Sequence, residues 1–109
     1  RYYFTADAGE SAVSQFSASA SDPDATVEVV HTGGDRFYVE VGFPEQRLLP
    51  ARRENQRRWR TDVQITLQAP SGTFDPGNDW SARDLDGTRR VIPRMPVYGG
   101  GQKIEGEAP

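Results

Sequence analysis

Three stretches of strict apolar/polar alternation constrain this chain more than any other feature: Thr26–His31, Phe37–Phe43 and Asp62–Ala69. In the second, Phe37, Val39, Val41 and Phe43 fall on one side, with Tyr38 and Glu40 on the other. In the third, Val63, Ile65 and Leu67 alternate with Asp62, Gln64, Thr66 and Gln68. A strand turns successive side chains to opposite faces, so each stretch reads as a strand with one dry and one wet face. Such strands build an antiparallel sheet that is packed on one side.

The remaining elements are read around these three. Tyr2 and Phe4 alternate with Tyr3 and Thr5, which suits a first strand. Asp7 with Glu10 three residues on has the form of a capping box. Val13, Phe16 and Ala20 then recur at helical spacing, so a helix is expected over 11–20, ended by Asp22-Pro23-Asp24. Thr32-Gly33-Gly34-Asp35 supplies the positive φ of a tight hairpin turn between the second and third strands. Pro50 to Trp59 is rich in helix formers, with Leu48, Ala51, Asn55 and Trp59 on one side and a favourable Glu54–Arg58 pair.

The expected order is therefore strand, helix, strand, strand, helix, strand. This is the α+β, ferredoxin-like split βαβ (βαββαβ) arrangement, an antiparallel sheet with two helices on one face. The rival is an all-β meander or sandwich in which 44–60 is an extended loop. The expected core is Phe4, Val13, Phe16, Val27, Val29, Phe37, Val39, Val41, Val63, Ile65 and Leu67.

From Pro70 onward Pro, Gly, Asp and Arg dominate and periodicity disappears. The organisation expected is a small domain over 1–70 followed by a Pro/Gly-rich arm over 71–109. Trp80, Val91, Ile92, Met95, Val97 and Tyr98 make this arm too apolar for a solvated tail. It is expected to lie against its own domain or against a partner.

Composition narrows the chemistry. The 109 residues contain no cysteine, which excludes disulfides, thiolate metal sites and cysteine nucleophiles. His31 is the sole histidine, and no serine or carboxylate is spaced to make it a catalytic base. It reads as a rim residue. Asp75, Asn78, Asp79, Asp84 and Asp86 are oxygen-rich, but their spacing is not that of a calcium loop, and turn-capping roles fit them better. No dinucleotide, phosphate-loop, zinc-protease or nucleophile-elbow motif is present. The expectation is a protein that is not an enzyme and uses no cofactor or metal. No run reaches the roughly 20 apolar residues of a membrane span, so no membrane insertion is expected.

What remains is binding. Charge is uneven: residues 1–46 sum to −6, 47–60 to +5 and 61–109 to −2, giving the net −3. Arg52, Arg53, Arg57 and Arg58 lie in the basic stretch, while Tyr3 and Tyr38 fall on the open sheet face. With Trp80, Val97 and Tyr98 from the arm, these residues are the expected partner-binding set. The partner expected is a protein or a second copy of the chain, within a larger assembly of the kind found in bacterial envelope machines and phage particles. The alternative is nucleic acid, held by arginines on its phosphates with Tyr3 and Tyr38 stacking on bases.

Overall fold

The computed structural model describes residues 1–43, 63–70, 72, 74–83, 85–88 and 92–109. Among the described residues seven strands run in the order β1 (Tyr2–Thr5), β2 (Ser17–Ala20), β3 (Thr26–Gly33), β4 (Arg36–Gly42), β5 (Ile65–Gln68), β6 (Val97–Gly99) and β7 (Gln102–Glu105). They form a three-stranded sheet in the order β1-β4-β3 and two two-stranded sheets, β2-β5 and β6-β7. All pairings are antiparallel. Among the described residues there are also two short 3-10 turns, Val13–Gln15 and Pro76–Asn78.

The β3–β4 hairpin forms where the two glycines require it. Gly33 and Gly34 take φ of 139° and 59°, values a side chain disfavours. Beyond the turn, Val29 pairs with Val39 and Val27 with Val41, so the apolar residues of both strands share one face. β1 joins on the other side of β4 with Phe4 opposite Phe37 and Tyr3 opposite Tyr38.

Phe4, Phe37, Val39, Ala6 and Phe16 are the buried core, and Ala18, Ile65, Leu67, Val27, Val29 and Phe74 pack against it. The core thus lies between the three-stranded sheet and the β2-β5 pair. Its centre is aromatic. Phe4 stacks on Phe37 at 5.6 Å between centroids, and Phe16 meets both rings edge-on, at 5.2 Å from Phe4 and 4.8 Å from Phe37. Each buried phenylalanine contributes about 1.5–3 kcal/mol of transfer free energy, and the tilted contacts add to it.

β1 would otherwise present a free edge. Residues 79–81 cover it: Tyr3 N donates to Ser81 Oγ (2.8 Å), Ser81 N to Tyr3 O (3.2 Å) and Thr5 N to Asp79 Oδ1 (2.9 Å). Ser81 Oγ in turn donates to Arg94 O (2.6 Å), tying in a further stretch of chain. A covered edge has no unpaired amides left to recruit another strand.

The ferredoxin-like expectation is therefore incorrect, and the all-β alternative is the one found. Among the described residues there is no α-helix. The first expected helix is a single 3-10 turn followed by β2, which pairs with β5 from Ser17↔Gln68 to Ala20↔Ile65. Its capping box is not made. The Asp7 carboxylate accepts from Asp75 N (2.7 Å) and Asn78 Nδ2 (2.6 Å), and Glu10 accepts from Ala8 N (2.9 Å). Val13, expected in the core, is 42% exposed. The second expected helix lies outside the described residues. The strand expected over 62–69 leaves the first sheet to pair with β2 in the second.

Candidate binding face

The outer face of the three-stranded sheet carries the side chains that alternate with the core. Tyr3 and Tyr38 sit directly opposite each other on β1 and β4, their rings 5.2 Å apart and tilted by 53°. Tyr98, brought in by the β6-β7 hairpin, joins them across the Arg1 guanidinium. Arg1 lies among the rings, its guanidinium 4.7 Å from the Tyr38 centroid and 3.8 Å from that of Tyr98. Its Nε also donates to Glu40 on β4. A cation held over two rings gains from their quadrupoles, and the carboxylate fixes its plane.

The electrostatics follow from this packing. Burial pulls the Arg1 guanidinium down, but hydrogen bonding to Glu40 and Tyr3 outweighs it, so the group stays charged. Burial pushes the Tyr3 phenol up, and Tyr98 adds to that push while Arg1 opposes it. The phenol is a neutral donor under all ordinary conditions. The face is a set of three amphipathic rings, one cation and one carboxylate, all half-buried.

Trp80 flanks this set. The strip 79–81 runs along β1, and Trp80 faces Arg83 and Arg94, whose guanidinium carbons lie 5.5 and 4.6 Å from its ring. Its indole N–H is buried and meets no acceptor among the described residues.

Of the binding residues expected from sequence, Tyr3, Tyr38 and Tyr98 come together and Trp80 lies beside them. Val97 is on the exposed side of the β6-β7 hairpin, at 50% exposure, and takes no part in the cluster. Arg52, Arg53, Arg57 and Arg58 lie outside the described residues. Sequence reasoning missed Arg1 and gave Glu40 no binding role. The period of two placed both on the face of Tyr3 and Tyr38, and that signal was available.

Among the described residues no catalytic arrangement accompanies these groups. The ring of His31 stacks on Phe37 at 4.6 Å, with Nε2 2.8 Å from Gly34 O, so it braces the hairpin turn. Asp75 accepts from Gly77 N and Asp86 from Thr88 N, as turn-capping aspartates do. Among the described residues no group of three or more His, Asp or Glu is placed to hold a metal ion. No helix among them is long and apolar enough to cross a membrane.

Two facing antiparallel sheets with a ring-lined outer face define a non-catalytic β-sandwich binding module. Residues 1–106 match the cellulose binding domain family, and the chain belongs to it. This corrects the partner expected from sequence. The family takes a polysaccharide, so neither a protein assembly nor nucleic acid is the reading for these rings and charges.

Proposed function

We propose that this chain binds cellulose or a closely related β-linked glucan through the outer face of its three-stranded sheet. The observation that carries the reading is the cluster of Tyr3, Tyr38, Tyr98, Arg1 and Glu40 on that face, in a member of the cellulose binding domain family. A β-linked glucose unit has two apolar C–H faces and a rim of equatorial hydroxyls. Aromatic rings lose little entropy when they pack on such faces. The rim needs donors and acceptors fixed in one plane, which the phenols, the guanidinium and the carboxylate supply.

The opposite outer face offers much less. Ser17 and Ser19 on β2 and Thr66 and Gln68 on β5 are all exposed and carry no ring. The test follows from that contrast. In sedimentation with insoluble cellulose, Tyr3→Ala and Tyr38→Ala together should weaken adsorption at least about ten-fold, equivalent to ~1.4 kcal/mol. Thr66→Ala should leave it unchanged. A folded Tyr double variant that adsorbs like the wild type would remove the reading.

A further inference from the structure

Next to the tyrosines the same sheet face opens into a groove of about 880 Å³, lined by Tyr3, Thr5, Thr32, Arg36, Trp80 and Arg83 among others. Arg36 is opposite Thr5 and two residues before Tyr38 on β4, so it lies on the same outer face, about 7 Å further along. The sign of the charge changes along this line. Glu28 and Glu40, themselves opposite each other, mark one end, and Glu40 is paired with Arg1. Arg36 and Arg83 mark the other, both exposed, and neither forms an ion pair among the described residues. Asp35 and Pro109 also line the groove. Arg83 lies over the Trp80 ring, which limits the orientations its guanidinium samples.

Two exposed guanidiniums with no ion-pair partner among the described residues, beside an indole, are more than a neutral glucan requires. Guanidinium recognises carboxylate by two parallel hydrogen bonds, and a hydroxyl rim cannot use that fork as fully. We propose that this groove is a subsite for an acidic sugar, one bearing a carboxylate, on a glycan whose neutral units lie across the tyrosines. The proposal rests on the glycan-binding reading above and adds to it the charge class of the ligand. Arg36 and Arg83 take the carboxylate, and Trp80, itself covered by Arg83 and Arg94, borders the ring that carries it. Asp35 repels carboxylates that approach from the turn side.

The test compares two soluble polymers with one backbone, neutral hydroxyethylcellulose and anionic carboxymethylcellulose, by affinity electrophoresis at low and high salt. The wild type should be retarded about five-fold more strongly by the anionic polymer at low salt, given the modest worth of each exposed pair. The difference should shrink as salt rises. The variant R36Q/R83Q should lose that preference while its retardation by the neutral polymer stays at the wild-type level. Equal retardation of the wild type by both polymers overturns the proposal. So does a preference that survives in R36Q/R83Q, which would trace it to other arginines. Failure on the neutral polymer alone, with the Arg-dependent preference intact, counts against the cellulose reading and leaves the acidic subsite standing.

Discussion

At the scale of single residues, Asp79 illustrates how a buried carboxylate is kept. It is 2% exposed, and it accepts from Thr5 N and from the Tyr2 hydroxyl at 2.9 Å each. Burial raises its pKa above 3.8, with the nearby Asp7 and Asp75 adding to the rise, while the two hydrogen bonds oppose it. A carboxylate whose folded pKa is raised binds its proton more tightly in the folded state. Its contribution to stability is therefore fully present at low pH and is lost as pH rises from 3.8 through the folded value. Asp79→Asn keeps an oxygen for Thr5 N and carries no charge. In thermal unfolding between pH 3 and pH 7, the wild type should lose ground to Asp79→Asn as pH rises. Asp79→Ala leaves both donors unpaired and should cost about 1–3 kcal/mol at every pH. A pH-independent gap between wild type and Asp79→Asn would show that the group is not strained by its surroundings.

At the scale of elements, the β6-β7 hairpin permits a matched comparison. Gly101 and Gly106 share a φ of 82°. A Cβ at Gly101 would meet nothing within 4 Å, whereas one at Gly106 would lie 2.7 Å from Pro93 O and 2.9 Å from Pro96 Cα. Alanine at either position pays the left-handed penalty, about 1–2 kcal/mol. Only at Gly106 does it also collide with backbone. Gly106→Ala should melt well below Gly101→Ala, and equal melting temperatures would mean that the 93–96 segment yields freely.

Elements also show what could be read in advance. β1, β3 and β4 were legible because large apolar side chains alternate with polar ones, and so was the shared face of Tyr3 and Tyr38. β2 was not. In Ser17-Ala18-Ser19-Ala20 the serines are exposed and the alanines half-buried, yet alanine suits a helix and a strand about equally on pattern alone. Phe16 and Val13 then completed a helical stripe that the tertiary structure does not use. The capping-box pair misled for a related reason. Asp7 is engaged by Asp75 and Asn78, partners 68 and 71 residues away that no local pattern reveals. The binding face was visible as rings and charges, but its ligand was not, because a tyrosine pair on a sheet serves bases, proteins and sugars alike.

At the scale of the molecule, Ser81 is the stitch between distant parts of the chain. It is fully buried, at 0% exposed. Its hydroxyl accepts from Tyr3 N and donates to Arg94 O, so one side chain joins the first strand to a segment some ninety residues later. Ser81→Ala would remove the acceptor of Tyr3 N and the donor to Arg94 O, a cost of about 1–3 kcal/mol. For a chain of this size that is a drop of roughly 4–8 °C in Tm per kcal/mol. Ser17→Ala, on an exposed position of β2, should melt within a degree or two of the wild type. If the two variants melt together, the edge strip is held by other contacts.

The strip that includes Trp80 has one more consequence, for anyone who would retarget the protein. Asp79 and Ser81 hold the architecture together, and the indole between them faces the groove. Mutational libraries that randomise this tripeptide would lose stability at Asp79 and Ser81 as they vary the groove. Arg36 and Arg83 are exposed and form no ion pair among the described residues, so diversity placed there can alter which glycan is chosen while the scaffold persists.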